Sequence, residues 1–302
     1  MIEIESDKQQ SEGRKAASGS TTLARIAAFS DGDQGGNPAG VMLCDKLPEA
    51  SVMQAVAAEV GYSETAFAAP VEGGWRVRYF APEIEVPFCG HATIALGAAL
   101  ALEFGDGVFP LMLNQAKISV QGERKGGTIA AALQSPGTRS SAAGWVLVSE
   151  VLALFGLTDA DLDERIPVAN AEGGAKHIVV ALKTRELLRA MSYDLAAGRI
   201  LMNREGLATI MLIYAETPRL FHVRNPFASG GVYEDPATGA AAAALGGYLR
   251  DLGWPHEGSI DLKQGDDMGI PSRLHLEIPP EPGVSIRVSG TARVMRPEEI
   301  VA

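Results

Sequence analysis

Three polar side chains that could move a proton stand in otherwise apolar stretches of the sequence. Glu64 follows a helix-like segment and precedes an apolar strand, so partial burial would raise its pKa and make it a general base near neutral pH. His91 stands beside an Ala-rich segment, where its ring could bind a substrate carboxylate or relay a proton. Asp235 precedes Pro236, an expected first helical residue, and could orient a substrate. Each has a structural alternative: a surface or capping glutamate, a buried structural histidine and a helix N-cap aspartate.

Two similar segments could hold an anion. One helix-like run begins at Cys89-Gly90-His91-Ala92-Thr93 and another at Asp235-Pro236-Ala237-Thr238-Gly239. When the sequence is aligned with itself at an offset of 145 residues, six of the nine pairs from Ala92/Ala237 to Leu100/Leu245 are identical. Helix N-termini present free backbone N–H groups that bind anions. The pair of segments therefore predicts one acidic substrate held between two related domains.

Other candidate groups leave alternatives open. Cys89 is either a reactive thiol at a helix N-terminus or a small buried apolar residue. The Gly-rich loop around Asn37 matches neither the P-loop nor the dinucleotide fingerprint, so a tight turn is the simpler interpretation. We predict no metal site, because no His, Cys, Asp or Glu set has metal-ligand spacing. The sequence contains no Gly-x-Ser-x-Gly motif, so serine hydrolysis has no support.

Length and composition restrict the class of protein. The chain has 302 residues and a net charge of −11, which fits two domains and argues against nucleic-acid binding as the main role. Two cysteines form no disulfide framework, and a reducing cytoplasm is the expected compartment. No segment resembles a transmembrane helix, so we expect no membrane partner. Residues 1–22 are predicted to form a polar tail.

Short strands and a few helices must position the candidate groups. We predict helices between Pro48 and Gly61 and at 91–104, 146–155, 185–191 and 236–252. Predicted strands cover 23–29, 41–44, 65–69, 75–80, 117–121, 128–133, 177–182, 209–214, 220–223, 274–278 and 285–289. Residues 135–144 are rich in Ser, Gly, Pro and Ala and are predicted to be a linker. This mixture favours two α+β units.

Four motifs, in order along the chain, resemble the PhzF-like isomerase family of phenazine biosynthesis and, more distantly, diaminopimelate epimerase. They lie at 36–41, 63–67, 80–93 and 234–239. The resemblance implies an α+β fold of two similar domains, each a sheet curled around a central helix, with the active site in the cleft between them. It places 23–134 with about 284–302 in one domain and 145–283 in the other, and it implies a homodimer.

The resemblance also implies a proton shift beside the carboxylate of a small substrate, without a cofactor. Glu64 matches the acid/base glutamate, while His91 and Asp235 match groups that hold the substrate and assist proton transfer. Substrate contacts are then expected from Asn37, Cys89, Gly90, Thr238 and Gly239.

Two positions depart from the family pattern. Ala240 stands where the family often has serine, so the substrate is expected to differ from the phenazine precursor. The epimerases use two facing cysteines, and here only Cys89 matches one. An amino-acid racemase or epimerase using Cys89, or a non-catalytic binding protein of the same fold, remain the alternatives.

Overall fold

The computed structural model describes residues 23–125, 128–296 and 299. The predicted polar tail, 1–22, lies outside these residues. Among the helices described, none combines the length and the apolar character needed to span a membrane.

In the first half of the chain, the described residues form nine strands and two α-helices. They are β1 (Leu23–Ser30), β2 (Asn37–Leu43), α1 (Ala50–Val60), β3 (Thr65–Val71), β4 (Gly74–Phe80), β5 (Glu85–Val86), α2 (Gly90–Phe104), β6 (Gly107–Met112), β7 (Lys117–Lys125), β8 (Thr128–Gly137) and β9 (Arg139–Ala142).

In the second half, four α-helices and eight strands are formed by the residues that the structure describes. They are α3 (Trp145–Phe155), β10 (Ala169–Glu172), β11 (Lys176–Ala181), α4 (Arg185–Arg189), α5 (Leu195–Glu205), β12 (Thr209–Thr217), β13 (Leu220–Phe227), β14 (Val232–Asp235), α6 (Gly239–Leu252), β15 (Ser259–Gln264), β16 (Ser272–Glu277) and β17 (Ser285–Val294). The sequence prediction missed α5 and several short strands, including β9, β10 and β15.

The two halves repeat one order of strand pairings. In the first, β1 pairs antiparallel with β2, β2 parallel with β3, β3 antiparallel with β4 and β4 parallel with β6. In the second, β10 pairs antiparallel with β11, β11 parallel with β12, β12 antiparallel with β13 and β13 parallel with β15. The buried helices α2 and α6 follow the fourth strand of each set. This internal repeat agrees with the predicted pair of similar units.

The last strand of each half joins both sheets. β17 pairs with β1 and β8 in the first half and with β16 in the second. The chain that leaves β8 continues into β9, which pairs with β10. The prediction of a linker at 135–144 was therefore wrong: these residues have the composition of a loop, but most of them form ladder hydrogen bonds that connect the two sheets.

Each sheet encloses a helix made of small residues. All residues from Gly90 to Ala101 of α2, and from Ala241 to Arg250 of α6, are buried. Alanine and glycine let the surrounding strands approach a helix closely. At Gly122 of β7, a Cβ atom would lie 2.2 Å from the carbonyl oxygen of Gly97, so this strand can pass the helix only without a side chain.

The structure aligns the two central helices differently from the sequence. Their N-caps are Cys89 and Thr238, an offset of 149 residues rather than 145. The sequence alignment at 145 was thus shifted by about one helical turn, since alanine-rich segments match one another in several registers. In the structural register Gly90 corresponds to Gly239, and His91 corresponds to Ala240.

Candidate active site

The N-termini of α2 and α6 meet at a pocket between the two halves. A Cβ atom at Gly90 would lie 3.0 Å from Cα of Gly239 and 3.1 Å from the backbone nitrogen of Ala240, so the two helix starts are in backbone contact. The pocket has an empty volume of about 470 Å³. Its lining includes Glu64, Cys89, His91, Asp235 and Thr238, which come from both halves. The structure therefore brings the sequence-predicted groups to one pocket, with the exception of Asn37.

Glu64 is held at the start of β3. Helix α1 ends at Gly61, which adopts a left-handed conformation (φ 70°), and Glu64 is the last residue before the strand. Its carbonyl oxygen accepts a hydrogen bond from the backbone N–H of Gly40 (3.2 Å). The buried side chain has one oxygen, Oε2, without a hydrogen-bond partner among the described residues. A carboxylate oxygen that accepts no hydrogen bond can accept a hydrogen from a bound substrate.

Burial sets the proton affinities of Glu64 and His91. Desolvation raises the pKa of Glu64, although contacts with the side chains of Ser63 and Cys89 oppose the shift. Desolvation also lowers the pKa of His91, so the ring is neutral at neutral pH. Nε2 of His91 lies 3.4 Å from Oε2 of Glu64 and 3.3 Å from Oγ of Ser63. A neutral ring beside a carboxylate of raised pKa can share or relay a proton.

Cys89 contacts both the His91 ring and the Glu64 side chain. Its Sγ is 3.3 Å from Nδ1 of His91. Desolvation and the neighbouring Glu64 carboxylate raise the pKa of the thiol well above its ordinary value, which works against thiolate chemistry. The potential ligand atoms of Glu64, Cys89 and His91 lie within 4.8 Å of one another, a spacing that a metal ion could bridge. Spacing along the sequence did not reveal this cluster, because Glu64 is distant in sequence from Cys89 and His91.

Asp235 ends β14 rather than capping α6. Its backbone pairs with Asn225 of β13, and the helix begins four residues later with Thr238 as the N-cap. The predicted N-cap role, based on Pro236 as the first helical residue, was therefore wrong. The Asp235 carboxylate accepts hydrogen bonds from Asn37 Nδ2 (2.6 Å) and Thr238 Oγ1 (2.5 Å). Desolvation raises the pKa of Asp235 to about 6 despite these contacts.

Asn37 and Gln264 support Asp235 from behind. Asn37 Nδ2 also donates to the carbonyl oxygen of Ala237 (3.0 Å), and Asn37 is absent from the pocket lining. Gln264 Nε2 donates to the carbonyl oxygen of Asp235 (2.7 Å). Asn37 therefore positions Asp235 across the two halves, in place of the predicted substrate contact.

The first residues of both helices line the pocket, among them Gly90, His91, Gly239 and Ala240. The first intrahelical bonds of α2 and α6 are donated by Thr93 and Ala242, so the three preceding N–H groups in each helix have no intrahelical acceptor. Neither first turn contains an acidic side chain. The partial positive charge of two helix N-termini therefore favours a substrate carboxylate here.

Two residues of the site were not predicted as functional. Ser63 contacts the His91 ring, as described above. His177 lines the pocket from β11 together with Thr209 of β12. Its only sequence signal is a lone histidine at the start of an apolar strand, which does not indicate that β11 and β12 begin at the pocket.

Comparison with known proteins identifies the class of enzyme that has this two-domain fold and this site. The family model for phenazine biosynthesis-like proteins (PhzC-PhzF) matches residues 26–297. The chain is 33% identical to an uncharacterized isomerase of Deinococcus radiodurans, covering 85% of this chain and 87% of the relative. It is 31% identical to trans-2,3-dihydro-3-hydroxyanthranilate isomerase of Pseudomonas fluorescens, covering 82% of this chain and 87% of that protein.

A solved structure confirms the predicted fold. The phenazine biosynthesis protein of the PhzF family from Bacillus anthracis superposes with a TM-score of 0.78 at 24% identity, covering 91% of this chain and 96% of that one. The protein has the diaminopimelate epimerase-like fold. The chain belongs to the PhzF family and is an isomerase.

Proposed function

We propose that this isomerase moves a proton beside the carboxylate of a small substrate, with Glu64 as the general base and acid. The observation that carries the proposal is the buried Oε2 of Glu64, which accepts no hydrogen bond among the described residues, in a pocket that also contains two helix N-termini. Because the pKa of Glu64 is raised, its carboxylate binds a proton from carbon more readily than an exposed glutamate would.

The proposed reaction keeps atoms and charge in balance. A substrate carboxylate binds the free N–H groups of α2 and α6, which stabilise the enolate-like charge that develops when the neighbouring carbon loses its proton. Glu64 takes that proton and then returns it to another carbon of the same conjugated system. The glutamate is regenerated, and no redox cofactor is needed.

His91 and Asp235 assist without being consumed. The neutral His91 ring next to Oε2 of Glu64 can stabilise the protonated and ionised forms of the glutamate in turn. Asp235 presents a carboxyl group of raised pKa to the pocket and can orient a polar substituent. Ala240 leaves that part of the wall without the hydroxyl that is frequent in the family.

Hydrogen exchange tests the assignment of Glu64. Candidate carboxylates, including the substrate named for the Pseudomonas fluorescens relative, are incubated with enzyme in deuterated water and followed by NMR for label at the α or allylic carbon. Wild type is expected to introduce label, and Glu64→Gln is expected to slow labelling by roughly 10²–10⁴, with a melting temperature no lower than that of wild type. Unchanged exchange in a folded Glu64→Gln variant would exclude Glu64 as the base.

We further propose a cytoplasmic homodimer that acts in a biosynthetic process. The free, buried cysteines Cys44 and Cys89 fit a reducing compartment. Sedimentation of the purified chain is expected to give the mass of two chains, and the mass of one chain would contradict the dimer.

A further inference from the structure

His177 is a buried polar group whose role the proton shift does not explain. It lies on β11, directly opposite Thr209 in the parallel ladder with β12. Its Nδ1 is 2.8 Å from Oγ1 of Thr209, and that hydroxyl donates a hydrogen bond to Oδ1 of Asn225 (3.0 Å). All three residues are almost completely buried.

This chain of contacts decides which ring nitrogen of His177 carries the proton. Because the single hydrogen of the Thr209 hydroxyl is donated to Asn225, the hydroxyl can only accept from His177, so Nδ1 carries the hydrogen. Nε2 is then an acceptor, and it has no hydrogen-bond partner among the described residues. Burial lowers the pKa of His177 to about 3, so the ring remains neutral.

The internal repeat shows that this acceptor is specific to the second half. At the matching ladder position of the first half, Gly40 pairs with Thr65, and the Thr65 hydroxyl has no hydrogen-bond partner within the described part of the chain. Glu64 precedes Thr65 as Ala208 precedes Thr209. The β2–β3 pair therefore contributes the Glu64 carboxylate to the pocket, whereas the equivalent β11–β12 pair contributes the neutral imidazole of His177.

We propose that His177 is a specificity-determining residue whose Nε2 accepts a hydrogen bond from a hydroxyl or amino substituent of the carboxylate substrate. A buried acceptor left without a donor disfavours a ligand that lacks one. With the carboxylate on the helix N-termini, this contact fixes which carbon of the substrate faces Glu64. The inference rests on the proposed function, because it assumes that the same pocket holds the substrate.

Three ring-matched carboxylates serve as probes in calorimetric binding experiments. Benzoate has no donor substituent, 3-hydroxybenzoate has a hydroxyl group and anthranilate has an amino group. Wild type is expected to bind at least one substituted probe about tenfold more tightly than benzoate, and the tighter of the two identifies the donor. Equal affinities for the three probes, or no binding by any of them, would overturn the proposal.

Two substitutions separate the two ring nitrogens. The amide of His177→Asn reaches the place of Nδ1 and keeps the contact with Thr209, whereas the amide of His177→Gln reaches the place of Nε2. We expect His177→Asn to abolish the discrimination between probes and His177→Gln to retain part of it. Discrimination that persists in His177→Asn would contradict the role of Nε2.

A measurement on the unaltered protein guards against variants that fail to fold. Nitrogen-15 NMR of histidine-labelled enzyme, assigned with His177→Gln, is expected to show His177 as the neutral tautomer with the hydrogen on Nδ1. A hydrogen on Nε2 would overturn the proposal. These results are independent of the exchange test: if Glu64 is not the base, exchange persists in Glu64→Gln whatever the binding ratios are.

Discussion

At the scale of single residues, burial of carboxyl groups is what makes the pocket reactive. Glu64 and Asp235 are both buried and both have a raised pKa. Each shift is opposed by local hydrogen bonds, which keep the groups oriented. We therefore expect the free energy of unfolding to be lower than it would be with uncharged side chains at these two positions, a common cost of an active site.

The pKa of Asp235 predicts a pH-dependent stability. A carboxyl group whose pKa rises from 3.8 to about 6 on folding binds its proton more tightly in the folded state, so its contribution to stability falls as pH rises through that window and is constant above it. Asp235→Asn is isosteric and removes this effect. Relative to wild type, its free energy of unfolding is expected to increase between pH 4 and pH 6 by up to about 3 kcal/mol.

Urea denaturation across this pH range measures the difference. The exposed Asp33→Asn variant is the matched control, because Asp33 has no place in the site. A difference between Asp235→Asn and wild type that does not change with pH, or that changes in the opposite direction, would contradict the raised pKa of Asp235. Proton exchange by Asp235→Asn is expected to be slower, since the carboxyl group is lost from the pocket.

At the scale of elements, the contact between the two central helices sets the width of the pocket. Gly90 and Gly239 meet at the starts of α2 and α6, and a Cβ at Gly90 would press on backbone atoms rather than on a flexible side chain. The helices can accommodate it only by moving apart, which also moves Glu64 relative to Asp235.

Gly90→Ala therefore tests the helix contact. We expect a loss of about 1–3 kcal/mol in stability and an exchange rate about a hundredfold lower, because the reacting groups are displaced. Gly144→Ala is the control: Gly144 is the N-cap residue of α3, and a Cβ there meets no atom within 4 Å. Equal effects of the two substitutions would show that the helix contact is unimportant.

The helices and the motifs that bear the site were predictable from sequence, while their precise registers were not. Gly61 and Gly156 end α1 and α3 as expected, because glycine accepts the left-handed conformation required there. Asp235 looked like an N-cap because local signals do not show that its backbone pairs with Asn225. His177 could not be recognised, since only the parallel pairing with β12 places it at the pocket.

At the scale of the whole molecule, the site depends on contacts between the two halves. Asn37 from the first half donates to Asp235 from the second. β17 pairs with strands of both halves, so neither sheet closes without it. The proposed division into 23–134 with about 284–302, and 145–283, assigns this shared strand to the first domain.

Fragment complementation tests this dependence. Residues 1–144 expressed alone lack β17, and residues 145–302 alone lack β8 and β9, so we expect neither fragment to show a cooperative thermal transition. Co-expression of the two is expected to restore a single transition and proton exchange. A cooperative transition for either fragment alone would show that its sheet is complete without the other half.

The central claim is that one glutamate, rather than a cysteine thiol, moves the proton. Its most direct test is the rate of deuterium incorporation from solvent, measured for Glu64→Gln and Cys89→Ala beside wild type with the same substrate. We expect Glu64→Gln to lose exchange and Cys89→Ala to retain most of it. Full exchange in folded Glu64→Gln together with loss of exchange in folded Cys89→Ala would contradict it and favour a thiol-based epimerase.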